Sequence, residues 1–263
     1  MVASVKKEIP YYRPIQKEVE IFQHLHRNHL PLLIQGPTGC GKSRFVEYMA
    51  HNLSLDLITV SCHDETSAVD LLGRYLVQGT DTIWMDGPLT RAVRSGSIIY
   101  IDEIAEARPD TIVALHSLTD HRRALYLDRR DETIPAPSNF MLVASYNPGY
   151  QKGWKEMKPS TRQRFVSLSF DYPMPDIESE IIMSESGVNK DFAKKLVQLA
   201  YKIRSVKDLN LIETVSTRLL VNAAKLIQSG LPPRLSSEIS IAETLTDDLD
   251  TIKSIKDLIA LIF

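Results

Sequence analysis

The residues best placed to do chemistry are Lys42 and Ser43, which close the run Gly36-Pro37-Thr38-Gly39-Cys40-Gly41-Lys42-Ser43. The run fits G-x-x-x-x-G-K-S, and that spacing serves phosphate binding. Gly36 and Gly41 are expected to let the backbone turn tightly, so that successive N–H groups point inward at phosphate oxygens. A helix starting near Lys42 adds its positive N-terminal end. Lys42 would reach the β- and γ-phosphates of a nucleotide, and the Ser43 hydroxyl would bind Mg²⁺. A chance glycine-rich turn lacks the flanking elements found here. The apolar Leu32-Leu33-Ile34 precedes the run, and the helical stretch Arg44 to Leu53 follows it.

Three further polar groups stand at or beside the ends of apolar runs. Ser97-Ile98-Ile99-Tyr100-Ile101 reads as a strand covered on both faces and ends in Asp102 and Glu103. In an open α/β sheet, ligands sit at the carboxyl ends of the strands. Asp102 would hold Mg²⁺ through its hydration shell, and Glu103 would orient and polarise an attacking water. Phe140 to Ser145 is another buried strand, and Asn147 follows it. Its amide could hydrogen-bond the γ-phosphate and the attacking water, although an Asn-Pro pair alone marks only a turn. Arg162 and Arg164 precede the strand Val166 to Phe170. Both are candidates for a guanidinium that reaches a γ-phosphate in a neighbouring subunit.

The elements that must position these groups alternate. Helical spacing covers Ile15 to Arg27, and Leu57-Ile58-Thr59-Val60 predicts a second buried strand. A hairpin is expected over Tyr75 to Met85 around Gly79-Thr80, and a second joins Ala124-Leu127 to Glu132-Pro135. The first hairpin reads equally as an inserted contact element and as an edge extension of the sheet. Residues 1–14 predict an extended lead-in, because Pro10 and Pro14 disfavour helix. Tyr11 and Tyr12 fit packing against an adenine ring or against the protein's own surface. The composition changes at Tyr172-Pro173-Met174-Pro175, which divides a nucleotide-binding part over 1–172 from a helical part over 173–263. In the second part Phe192, Leu196, Leu199 and Ile203 share one helix face, and Leu219 to Gln228 forms a helix closed by Gly230 and Pro232.

Composition excludes several classes. The chain has 263 residues, 43% of them hydrophobic and 24% charged, enough for a substantial core. A net charge of -2 gives no basic field for nucleic acid. Two cysteines without C-x-x-C spacing argue against a disulfide scaffold or zinc site. Cys40 reads as a small filler of the phosphate loop, although its oxidation could block nucleotide. No apolar window approaches the ~20 residues of a membrane span, and no signal peptide is visible, so a soluble cytoplasmic protein is expected.

The order of these features resembles the AAA+ ATPases, and the two hairpins resemble their MoxR branch. The stretches GPTGCGKS, IIYIDEIAEARPD, LVASYNPGYQ and KPSTRQRFVSLSFDYP look like the CbbQ/NirQ/NorQ group within it. The resemblance covers nearly the whole chain. It implies an AAA+ P-loop core, a parallel sheet flanked by helices, followed by a small all-α lid. It makes Gly36, Pro37, Thr38, Gly39, Cys40, Gly41, Lys42 and Ser43 the Walker A loop, and Asp102 with Glu103 the Walker B pair. Asn147 becomes sensor 1, and Arg218 becomes sensor 2 on the lid. Arg164 matches the arginine finger best, with Arg162 a second candidate.

The resemblance also implies ATP and Mg²⁺ as cofactors and a homo-hexameric ring with ATP between subunits. A CbbO-like partner carrying a von Willebrand factor A domain is implied as well. The first expected client is Rubisco blocked by inhibitory sugar phosphates, which makes the chain the motor subunit of a Rubisco activase. The alternative client is nitric oxide reductase or denitrification machinery. A nucleic-acid ring motor is disfavoured because Arg129-Arg130 is flanked by Asp128 and Asp131, and the other hairpin tip is Gly79-Thr80. A binding-only scaffold would not need Glu103.

Overall fold

A computed structural model describes residues 10–148, 157–206, 209 and 211–263. The lead-in expected over residues 1–14 lies outside the described residues up to residue 9, as do Gly149, Tyr150 and Gln151 of the strand-end stretch.

Helix α1 (Glu18–Arg27) begins three residues later than its apolar spacing predicts. Its first residue explains why. The buried Glu18 carboxylate accepts N–H bonds from Ile15 and Gln16 and an O–H bond from Tyr12, and so holds residues 12–16 in a non-helical turn. After α1 come β1 (Leu32–Gln35), α2 (Lys42–Asn52), β2 (Leu57–Ser61), α3 (Ala68–Leu72), β3 (Gly73–Gln78), β4 (Asp81–Asp86) and α4 (Pro88–Ser95). The chain continues through β5 (Ile98–Asp102), α5 (Pro109–Leu115), β6 (Ala124–Leu127), β7 (Glu132–Pro135), β8 (Met141–Tyr146), α6 (Pro159–Arg162) and β9 (Val166–Ser169).

Five of these strands form one parallel sheet in the order β2-β5-β8-β1-β9. The central strands β5 and β8 are buried along nearly their whole length. Successive side chains of a strand point to opposite faces, and the two faces build separate cores. Leu32, Ile34, Ile98, Tyr100 and Val143 pack with Phe22 of α1 and Phe45 and Met49 of α2. Leu33, Ile99, Ile101 and Ala144 pack with Leu71, Leu89 and Leu115 on the other side. A fully buried side chain of this size contributes about 1.5–3 kcal/mol.

The expectation of a buried strand over Leu57 to Val60 needs correction. The strand forms, but β2 lies at the sheet's edge and stays half exposed. The hairpin β3–β4 forms its own two-stranded sheet and does not extend the large one. It meets the tip of the β6–β7 hairpin, where the Tyr75 hydroxyl donates to the Arg129 carbonyl and Arg130 lies over the Trp84 ring. Arg130 is therefore drawn onto an aromatic face as well as solvated.

Beyond residue 172 the described residues are helical: α7 (Pro175–Ser186), α8 (Lys190–Ser205), α9 (Thr217–Gln228), α10 (Pro233–Ser237), a π-helical turn (Glu238–Ala242), α11 (Glu243–Leu245) and α12 (Leu249–Ala260). Leu196, Leu199, Ile203, Leu220, Ile255 and Ile259 close a third core of their own. Helix α9 begins two residues earlier than its pattern predicts, because the Ser216 side chain caps it through the Leu219 N–H. Glu178, 1% exposed, takes both Arg204 N–H arms and the Thr217 hydroxyl, and so ties α7, α8 and α9 together.

Candidate active site

The parallel sheet brings the carboxyl ends of β1, β5 and β8 to one edge, and the candidate residues follow those ends. Gly41 precedes α2 with φ +101°, a conformation suited to glycine, and no side chain caps the helix start. The first N–H groups of α2 are thus left for an anionic ligand. Gly36 plays a different part from the one its spacing predicts. Its φ is not positive; it is required because a Cβ there would collide with the Phe170 carbonyl. Gly41, together with Gly39 at φ +69°, provides the turn, and Gly36 provides space.

Lys42 is 8% exposed, and burial lowers its pKa. Its ammonium donates to the Gly36 carbonyl at 2.8 Å, the Pro37 carbonyl at 2.9 Å and Asn147 Oδ1 at 2.7 Å. All three donors are thereby used, so phosphate oxygens would replace these acceptors. Asn147 Nδ2 in turn donates to Thr38 Oγ1 at 3.2 Å, and Thr38 Oγ1 donates to Glu213 at 2.8 Å. A hydrogen-bonded chain thus runs from the loop lysine through Asn147 to the segment before α9.

Ser43 Oγ lies 3.4 Å from Asp102 Oδ2. A hydroxyl and a carboxylate are the hard oxygen donors that Mg²⁺ takes beside nucleotide phosphates. Among the described residues no group of three or more His, Cys, Asp or Glu could hold a metal. A cation here would therefore take most of its ligands from phosphate and water, and the donor set fits Mg²⁺ on those terms.

Glu103 follows β5 with φ +55°, a left-handed conformation that costs a non-glycine residue about 1–3 kcal/mol. Burial raises its pKa, and the neighbouring Asp102 and Glu106 raise it further. That shift suits a group meant to accept a proton. Cys40 is buried, and its thiol pKa is raised mainly by burial, so it stays protonated. Its burial fits a small filler of the loop.

These groups face one cavity of about 540 Å³, a size typical of small-molecule sites. Residues 38–43 of the loop, Asp102, Glu103 and Asn147 line it from the sheet side, and Thr217 and Arg218 line it from α9. Gly36 and Pro37 lie behind the lining. Arg162 and Arg164 do not line it. Arg162 is exposed at the end of α6, and Arg164 pairs with Asp120 at 3.2 Å. Tyr12 packs between Phe45 and Tyr48 with ring centroids 5.3 Å from each, and both Tyr11 and Tyr12 line the cavity.

Sequence reasoning gave no site role to several residues that line the cavity, Thr217 among them, or to four that bond the candidate residues. The Tyr100 hydroxyl, the Ser145 hydroxyl and Glu213 bond the candidate residues directly, and the Tyr172 hydroxyl donates to the Thr38 carbonyl. Tyr100 and Ser145 carried a signal, since each is a polar side chain inside an apolar strand next to a candidate residue. Glu213 and Tyr172 carried none.

The AAA domain (dynein-related subfamily) model matches residues 31–165, and the CbbQ/NirQ/NorQ C-terminal model matches residues 178–262. The chain belongs to the CbbQ/NirQ/NorQ group of AAA+ ATPases. It is 52% identical to the denitrification regulatory protein NirQ of Pseudomonas aeruginosa over 252 residues, covering 96% of this chain and 97% of that one. Protein NorQ of Paracoccus denitrificans is 53% identical over 256 residues, covering 97% and 95%. Protein CbbQ of Hydrogenophilus thermoluteolus is 51% identical over 241 residues, covering 92% and 90%. The structure of a Thermotoga maritima RuvB variant superposes with a TM-score of 0.55 at 14% identity, over 93% of this chain and 69% of that one. That likeness shows the fold alone. As a MoxR-type AAA+ ATPase the chain binds nucleotide and hydrolyses ATP. Among the described residues no helix is long and apolar enough to cross a membrane.

Proposed function

We propose that this chain is the motor subunit of a ring that couples Mg²⁺-dependent ATP hydrolysis to the remodelling of a client protein. The observation that carries the reading is the convergence of Lys42 and Ser43 from the start of α2, Asp102, Glu103 and Asn147 from the strand ends, and Arg218 from α9 on one cavity. Residues 1–172 form the nucleotide-binding core, and residues 173–263 form a lid domain. Lys42 and the N–H groups of the loop hold the β- and γ-phosphates. Ser43, and Asp102 through the hydration shell, would hold Mg²⁺, which would offset phosphate charge. Glu103 takes the proton of the attacking water, Asn147 orients that water against the γ-phosphate, and Arg218 reports the γ-phosphate to the lid.

Arg164 stands outside its own chain's cavity, which supports a role at a neighbour's γ-phosphate and hence a closed homo-hexameric ring. The client is recognised away from the ATP site, with a partner carrying a von Willebrand factor A domain. The first client reading is Rubisco blocked by sugar phosphates. The second is nitric oxide reductase, favoured by the denitrification name of one relative at 52% identity. Assaying both clients with ATP and the partner separates them: recovery of activity in one and not the other identifies the client.

The residue assignment is tested by Glu103→Gln. An amide cannot accept the proton, so turnover should fall about 10²–10⁴-fold while ATP binding persists. Lys42→Ala should lose binding itself. Wild-type turnover in Glu103→Gln would refute the assignment.

A further inference from the structure

Tyr100 carries the largest fully buried side chain of the sheet, yet its hydroxyl sits at the edge where the chemistry is placed. Tyr100 and Asp102 are two residues apart on β5 and so share one face. Met141 and Val143 of β8 share the same core as Tyr100, which puts Ser145 on that face too. The Tyr100 hydroxyl lies 2.8 Å from Asp102 Oδ1, 3.0 Å from Ser145 Oγ and 3.2 Å from Ser43 Oγ. The Ser145 hydroxyl donates to the same Asp102 Oδ1.

Counting hydrogens fixes the direction of these bonds. The phenol has one hydrogen, and the carboxylate is a stronger acceptor than a neutral hydroxyl. The Tyr100 hydrogen therefore goes to Asp102 Oδ1, as does that of Ser145. Two donors from the core hold one carboxylate oxygen and leave Oδ2 toward Ser43. The Ser43 hydrogen then has two acceptors in reach, the phenol oxygen and Asp102 Oδ2 at 3.4 Å. Either one turns that hydrogen toward the core and the serine lone pairs toward the loop. Without these donors the carboxylate is free about a terminal torsion that is broad and two-fold.

We propose that Tyr100 and Ser145 are positioning residues that aim the Asp102 carboxylate and the Ser43 hydroxyl at the divalent cation of the bound nucleotide. Neither is placed to touch the cation; both act through Asp102 and Ser43, the two side chains assigned to hold it. The proposal rests on the roles given above to Asp102 and Ser43. Partners behind metal ligands are commonly worth 10–100-fold in metal affinity.

The test is Mn²⁺ binding in the presence of ADP, read by electron paramagnetic resonance, with Asp102→Asn as reference. Mn²⁺ takes the same oxygen donors as Mg²⁺. Tyr100→Phe keeps the buried ring and removes only the hydroxyl. It should weaken Mn²⁺ binding about 10-fold or more, with ADP affinity in EDTA unchanged. Ser145→Ala should move Mn²⁺ binding the same way, and Ser145→Thr, which retains the hydroxyl, should restore it. If Tyr100→Phe fails to fold, the Ser145 pair carries the test. Wild-type Mn²⁺ affinity in Tyr100→Phe and Ser145→Ala, with binding lost in Asp102→Asn, would overturn the positioning role and leave the assignment of Asp102 standing. Wild-type affinity in Asp102→Asn would overturn both.

Discussion

Lys42 and Arg164 are both cations assigned to the γ-phosphate, but the fold treats them in opposite ways. Lys42 is buried, with its three donors on Gly36, Pro37 and Asn147, and it lines the cavity. Arg164 is about one-third exposed, holds a single carboxylate of Asp120 and lines no part of that cavity. Within one chain, then, the cavity holds the phosphate loop, Asp102, Glu103, Asn147 and Arg218, while Arg164 stands outside it, partly exposed. The difference teaches where a fold can place preorganisation. Lys42 is locked by its own surroundings, whereas Arg164 is held by a partly exposed ion pair, as the proposed role at a neighbour's site would require.

The largest expected effect separates the two regions. Arg164→Ala should cut ATP turnover about 10³-fold while ATP affinity stays near normal. Its pairing with Asp120 is partly exposed and worth about 0–1 kcal/mol, so the melting temperature should hardly move. Arg162→Ala should be milder. Parallel calorimetry and turnover measurements read both quantities, and a large loss of stability in Arg164→Ala would assign that arginine to the fold. If the finger acts in trans, as proposed, wild-type specific activity should also rise with protein concentration.

Next comes the largely buried ion pair Glu178–Arg204 within the helical part. Glu178→Ala leaves Arg204 buried without its carboxylate and should cost about 3–5 kcal/mol in denaturant unfolding. Turnover should fall with it, because Thr217 and Arg218 start the helix that Glu178 anchors. Unchanged stability would mean that Arg204 finds another partner.

The smallest effect is pH-dependent. Burial alone would raise the pKa of Glu18, but the N–H groups of Ile15 and Gln16 and the Tyr12 hydroxyl bring it below its ordinary 4.5. A carboxylate whose pKa is lower folded than unfolded stabilises fully above the unfolded value, and that contribution fades as pH falls through the folded one. Glu18→Gln should therefore cost about 1–3 kcal/mol at pH 7, and the deficit should shrink below pH 4.5. A deficit that does not change with pH would show that shape and not charge matters at this position.

What the sequence reveals follows the same division. The phosphate loop and the Asp102-Glu103 strand end were legible because local chemistry fixes them: glycine and lysine spacing in one case, an unbroken apolar run ending in carboxylates in the other. Leu57 to Val60 has the same apolar look as Ile98 to Ile101, yet one strand is half exposed and the other buried. Strand order decides that, and strand order depends on residues far apart in the chain. The start of α1 was misplaced because a buried carboxylate, and not the apolar spacing, sets it. Glu213 reaches Thr38 across 175 positions from a segment without regular structure, and no local pattern announces such a contact. Gly36 looked like a turn glycine, but the Phe170 carbonyl, distant in sequence, is what requires it.

The central claim is that one chain's cavity is completed by another chain's arginine, and subunit mixing tests it most directly. Arg164→Ala subunits carry an intact phosphate loop, and Lys42→Ala subunits carry an intact finger. Each is nearly inactive alone. Once both variants are shown to enter mixed rings, ATP turnover is measured against mixing ratio. The account predicts a rise to a maximum at intermediate ratios, where interfaces of one orientation hold both groups. A flat line at background would contradict it, and Arg164 would then act within its own chain or only in the fold.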